Sequence, residues 1–351
     1  MESKKRKAVV GILNTLLPVL AAFLVGAVVI LLIGENPLVT YWILVKNSLF
    51  SGTGFLTTLH YAGPLILTGL AIAVTFKANV YNMGVEGQML VGAFFTGIAG
   101  AYITGMNPFL HKAVCIVIGI ICGMVFAFIP AIIKVKCKAN EMVVTLMLNY
   151  AVLKVLEFLS TGVFRDESSG YVATKTIQES AMFSRFGVSR LTMFFGVVVL
   201  ALIGMYILMK KSKLGFEITA IGKSTEFAEA TGMKVGRKII MIMLISGGLS
   251  GLAGAGYMMS DQFKFTLGFS GNPGLGWDGM LIALLGGHSP MGVLVAAIFY
   301  AALKTGSDNI NLYTNVPKEI VAMIQGFLIL FLSIKFIHSH LPLLKKLKSS
   351  K

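Results

Sequence analysis

Long uncharged stretches alternate along this chain with short clusters of basic residues. Apolar runs occupy approximately residues 9–33, 56–76, 89–106, 113–133, 142–162, 191–209, 239–259, 277–287, 291–303 and 319–335. Most approach the ~20 residues a helix needs to cross ~30 Å of hydrocarbon. Backbone immersed in lipid must satisfy its own hydrogen bonds, so the runs predict helices. The expected fold is all-α: a polytopic membrane protein of about ten transmembrane segments, forming one transmembrane domain over residues 1–351. Ten holds only if the two short runs, 277–287 and 291–303, are separate passes or half-passes.

Composition sharpens this picture. Of the residues, 56% are hydrophobic and 13% charged, against about 25% charged in soluble domains, and the mean hydropathy is +0.83. A soluble globular class is excluded. The net charge of +15 does not imply nucleic acid, because the cations flank apolar runs and form no aromatic-interleaved patch. Lys4, Lys5, Arg6 and Lys7 precede a run too long for a signal peptide and without an obvious small-residue cleavage site, which predicts a retained first helix. With the basic tail 1–8 inside, Lys77, Lys134, Lys136, Lys138, Lys210, Lys211, Lys213 and the basic tail 336–351 also fall inside. Two polar connections are long. The external one, 163–190, reads as a plug or a docking surface for an extracellular partner. The internal one, 210–238, contains a helix-compatible stretch, Ser224 to Ala230, with Glu226 and Glu229; it reads as a helix docking on a soluble subunit or as a solvated linker.

Two places combine glycine, a short apolar segment and a carboxylate. The first reads Asn82-Met83-Gly84-Val85-Glu86-Gly87-Gln88-Met89-Leu90, the second Asn272-Pro273-Gly274-Leu275-Gly276-Trp277-Asp278-Gly279-Met280-Leu281. An interrupted membrane helix exposes amide donors that need a partner, and matching interruptions in two halves point to a translocation pathway. Five passes per half would make the halves inverted repeats with broken helices. Polar groups in lipid are costly, so Asn82, Glu86, Gln88, Asn140, Glu141, Asn149 and Asp278 are candidates for pathway or gating roles, with Trp277 beside them in the second break. Glu86 and Asp278 read as pins for freed amides rather than direct ligands, and Glu141 serves equally well as a helix cap. Lys154 and Glu157 are spaced for an internal ion pair on one helix face.

Other chemistry is sparse. Cys115, Cys122 and Cys137 lack metal spacing and read as structural thiols. The five histidines are dispersed, with none at the i, i+4 spacing of metallopeptidases. Gly222-Lys223-Ser224 mimics the end of a nucleotide-binding loop, but position 217 holds Glu217 where the pattern requires glycine. The chain reads as no enzyme, and any ATP hydrolysis belongs to another subunit.

Three blocks carry a family resemblance: Asn79-Val80-Tyr81-Asn82-Met83-Gly84-Val85-Glu86-Gly87-Gln88, then Asn140-Glu141-Met142-Val143-Val144-Thr145-Leu146-Met147-Leu148-Asn149-Tyr150, then Gly276-Trp277-Asp278-Gly279 with Ala283-Leu284-Leu285-Gly286. Over roughly residues 56–335 the chain resembles the permease subunits of ABC importers for ribose-type sugars and nucleosides. The resemblance implies a complex: a second permease, identical or paralogous, a cytoplasmic ABC ATPase carrying ATP and Mg, and an extracellular substrate-binding protein, in a bacterial cytoplasmic membrane. It implies no cofactor in this chain and no nucleic acid. Glu229-Ala230-Thr231-Gly232 looks like a degenerate coupling motif lacking its usual second alanine, so Glu226, Glu229, Ala230 and Gly232 are the expected ATPase contacts. Length, the long outer loop and Pro317-Lys318-Glu319-Ile320-Val321 look more like the nucleoside branch than the ribose or galactose branch. The implied mechanism is alternating access. The rival from another class is an ion-coupled secondary transporter, with Glu86 and Asp278 carrying protons or sodium.

Overall fold

The computed structural model describes residues 2–266, 268, 274–310, 313–317 and 319–340. Asn272, Pro273, Lys318 and the tail beyond 340 lie outside the described residues. Regular structure among those described is helical, with three isolated β-bridges. In chain order the helices are α1 (Glu2–Leu32), α2 (Pro37–Val45, continued by a π-turn Lys46–Phe50), α3 (Gly52–Lys77), α4 (Val85–Tyr102), α5 (Pro108–Cys137), α6 (Glu141–Thr161) and α7 (Phe194–Lys211). They continue as α8 (Lys213–Lys223), α9 (Thr225–Ala230), α10 (Val235–Tyr257, continued by a π-turn Met258–Gln262), α11 (Leu275–Leu285), α12 (Pro290–Ile310) and α13 (Glu319–His340).

Every apolar run falls on a helix, but the described helices do not confirm the count of about ten spans. Six of the described helices are long and apolar enough to cross a membrane, and seven spans result if the bent pair 17–32 and 37–50 is one. At 11 residues, α11 is ~16 Å long and cannot cross. The sequence also gave no warning of α2. Its start is nonetheless local chemistry: Asn36 accepts from the Leu38 amide at 3.0 Å, and Pro37 occupies the first turn, where a missing N–H costs nothing. The same Asn-Pro device opens α5, with Asn107 accepting from the Phe109 amide at 2.9 Å. Lys138, at φ 52°, ends it.

The chain divides into two compact units, residues 1–58 with 299–351, and residues 59–298. In the first, α1 bends back at 119° into α2 and packs on α13, with Gly26 against Ile324. Tyr41 donates to the Phe23 carbonyl at 2.7 Å, and Asn315 donates to Glu35 at 2.9 Å, tying the connections together.

In the second unit α10 lies against α4 and α5 through small residues four apart. Gly119, Gly123 and Ala127 of α5 face Gly247, Gly251 and Ala255 of α10, and Gly254 faces the Met89 carbonyl of α4. A Cβ on Gly251 would meet the Gly119 carbonyl, so only hydrogen lets the backbones approach this closely. The 163–190 connection packs against the bundle. Its Ile177 amide bonds the Phe263 carbonyl and its Gln178 amide the Gly100 carbonyl, and Ala173, Ile177 and Ala181 are buried, so it caps the ends of α4 and α10.

Candidate functional site

The turn between α3 and α4 and the first turn of α4 carry Asn82, Glu86 and Gln88. Asn79 takes φ 59°, which an amide side chain tolerates better than most, and the chain then enters the bundle without helical hydrogen bonds of its own. Side chains replace them. Asn82 and Gln88 exchange two amide bonds, 3.0 and 3.1 Å, and Asn82 also donates to Ser246 of α10 at 2.9 Å and accepts from the Gly84 amide at 3.0 Å. From α6, Asn149 donates to the Met83 carbonyl at 2.7 Å and accepts from the Gly87 amide at 3.0 Å, while Thr145 accepts from the Met83 amide at 3.1 Å. Asn82 and Gln88 are wholly buried. Asn82 thus bonds the broken backbone directly, and Gln88 holds the Asn82 amide in place.

Glu86 joins the two breaks. It is 3% exposed, and its two carboxyl oxygens accept from the Gly274 amide (3.1 Å) and the Gly276 amide. These are freed donors at the start of α11, a helix that begins inside the bundle and whose dipole favours an acidic group at that end. Gly276 has no room for a Cβ, which would meet the Glu86 backbone and carboxyl. Gly279, one turn on, sits equally close to Thr68 of α3. Trp277 and Asp278 lie half-buried in the same first turn. Asn140 caps α6 through the Met142 amide at 3.0 Å, and Glu141 bonds Lys134 at 2.6 Å and the Tyr81 amide at 3.4 Å. Those two residues therefore anchor a helix end.

Between α7 and α10 the chain folds into α8 and α9. Ile221, Ala228 and Val235 form a small core, and Glu217 bonds Lys238 at 2.6 Å. The Ser224 hydroxyl accepts from the Phe227 amide at 3.1 Å and donates to Glu226 at 3.0 Å. Hydrogen bonds from its own amide and from Ser224 hold the Glu226 carboxyl below the usual range, so it is ionised at neutral pH. Glu226, Phe227, Glu229, Ala230 and Gly232 are all exposed, and Gly232 takes φ 83°. Gly222 is glycine for packing: a Cβ there would strike the Lys77 carbonyl.

Residues 54–333 match the model of the family described as "Branched-chain amino acid transport system / permease component". The chain belongs to this permease family. It is 33% identical over its whole length to 97% of the nucleoside ABC transporter permease protein NupB of Lactococcus lactis subsp. cremoris. Identity is 32%, over 91% of the chain and 93% of the relative, to the guanosine ABC transporter permease protein NupP of Bacillus subtilis. It is 30%, over 90% and 85%, to the glucose ABC transporter permease protein TsgB13 of Haloferax volcanii.

Lys154 and Glu157 pair at 2.8 Å as their spacing predicts, with Lys154 75% exposed on an α6 face shared with exposed Met147, Tyr150 and Phe158. Helical spacing gives the pair, not the side of the helix that is uncovered. One feature of the permease escaped sequence reasoning. His60 of α3 bonds Asp261 in the π-turn after α10 at 2.9 Å, beside a Thr192 to Ser260 hydroxyl contact at 3.0 Å. These partners are 201 positions apart, and no motif links them.

Proposed function

We propose that the permease is the membrane-spanning subunit of an ATP-driven importer that carries nucleosides inward by alternating access in a bacterial cytoplasmic membrane. The observation that carries this reading is the end-to-end similarity to relatives named as nucleoside and guanosine permeases. The geometry supports a moving part: α11 starts inside the bundle and is held there by Glu86, so freeing its first turn requires breaking the amide hydrogen bonds to that one side chain rather than unfolding a span. Asn82, Gln88, Asn149, Trp277 and Asp278 act around this hinge, Asn140 fixes the start of α6 beside the pathway, and the two breaks read as counterparts in inverted repeats. A second permease copy or paralogue completes the route, an extracellular binding protein delivers substrate, and a cytoplasmic ATPase with ATP and Mg docks on Glu226, Glu229, Ala230 and Gly232.

Glucose is the second reading, favoured by the Haloferax relative. Both solutes are neutral and polyhydroxylated, so the walls need amides and small residues rather than a charged clamp. Uptake by the complex copurified from native membrane and reconstituted in liposomes tests both. ATP-dependent accumulation of labelled nucleoside over glucose supports the first reading. Glucose uptake supports the second, and uptake that follows an ion gradient without ATP overturns both.

A further inference from the structure

Beside α8 the permease carries a basic groove whose charged rim takes no part in the ATPase contact proposed above, although Gly232 of that contact also lines it. It has a volume of ≈ 550 Å³, in the range of small-ligand sites, and lies between the first turn of α8, the 231–234 loop and the first turns of α10. Lys213, Lys234 and Arg237 are exposed on its rim. Glu217 is the acidic residue lining it, and Lys238 neutralises that carboxylate at 2.6 Å, so three positive charges are left over. Apart from Thr231 and Gly232 the rest of the wall is apolar: Phe216 is 70% exposed and Met241 44% exposed.

We propose that this groove binds an anionic phospholipid of the cytoplasmic leaflet, its phosphate on the Lys213, Lys234 and Arg237 rim and its first acyl carbons over Phe216 and Met241. The groove lies where α10 enters the membrane and follows directly on Lys210 and Lys211 at the end of α7, the level at which basic side chains meet lipid headgroups. A free phosphate would satisfy the rim and leave Phe216 and Met241 in water, whereas a lipid covers both. An ATPase is the poorer fit, because the neighbouring segment assigned to it above, α9, is acidic through Glu226 and Glu229. The site rests on the basic-inside orientation, which thiol labelling measures separately.

The test uses full-length permease, stripped of lipid in detergent and reloaded with phosphatidylglycerol or phosphatidylcholine, with retained lipid counted by native mass spectrometry. Preferential retention of phosphatidylglycerol is expected, falling ~10-fold in the variant Lys213→Gln, Lys234→Gln, Arg237→Gln. Substituting another basic cluster at the same level, Lys136→Gln with Lys138→Gln, should change it little. Phe216→Gln with Met241→Gln should also weaken retention, which a simple charge effect would not produce. An unchanged thermal midpoint shows that each variant is folded. Equal retention of the two lipids overturns the proposal, as does equal loss in the control cluster or displacement by inorganic phosphate. A triple variant that keeps its lipid but loses the ATPase on copurification makes the groove a protein interface and likewise overturns it.

Discussion

Both oxygens of Glu86 accept backbone amides from the start of α11, and the side chain is almost wholly shielded from water. Replacing one oxygen by an NH2 sets a donor against a donor, so Glu86→Gln should release one of the two amides. A buried amide left without its acceptor costs ~1–3 kcal/mol. The expected result is normal membrane insertion and near-normal yield with transport reduced at least ~10-fold, read as ATP-driven uptake in liposomes. Asn149 makes a contrasting case. Asn149→Leu strands the Met83 carbonyl and the Gly87 amide at a half-buried position, at up to ~1–3 kcal/mol each. That variant should unfold at markedly lower denaturant or temperature in detergent, whether or not substrate is present. If Glu86→Gln proves as unstable as Asn149→Leu, the hinge reading fails and both residues are mere struts.

Among elements, the seam of α10 against α5 and α4 tolerates least change. The Gly251 hydrogen faces the Gly119 carbonyl, and backbone cannot yield as a side chain can. Gly251→Leu should cost more than the ~1–3 kcal/mol of ordinary overpacking and abolish stable folded protein in a fluorescence size-exclusion assay, while Gly196→Leu on α7, where nothing lies near, should be tolerated. The seam shows where sequence reading stops. Helix positions were legible because lipid demands long apolar runs, and the first break was legible because Asn82, Glu86 and Gln88 are costly in lipid. The glycines four apart in α5 and α10 are visible too, but spacing names no partner. Gly274 and Gly276 advertise a break without saying that a carboxylate 188 and 190 positions away closes it. The bend at residues 33–36 was illegible for a different reason. Asn36-Pro37 is a sound helix start, yet α2 is too short to register as a membrane run, and its place depends on tertiary contacts to α1.

For the whole molecule, everything proposed about an ATP-driven motor requires α9 and the basic groove to face the cytoplasm and the 163–190 connection to face outward. The native cysteines make this measurable. Cys137 is exposed at the end of α5 among Lys134, Lys136 and Lys138, whereas Cys115 is buried and Cys122 half-buried among apolar side chains. A charged, membrane-impermeant maleimide should therefore leave the unaltered permease unlabelled in intact cells and modify Cys137 in inside-out vesicles. With Cys137→Ser as background, Glu167→Cys in the outer connection should react in intact cells. Thr225→Cys in α9 should react only in inverted vesicles. The positive residues at the ends of α5 and α7 favour this orientation because cations are retained on the cytoplasmic side during insertion. Labelling of Thr225→Cys from outside would place the acidic helix and its basic groove on the wrong face for a cytoplasmic ATPase, and the proposed coupling would fall with it.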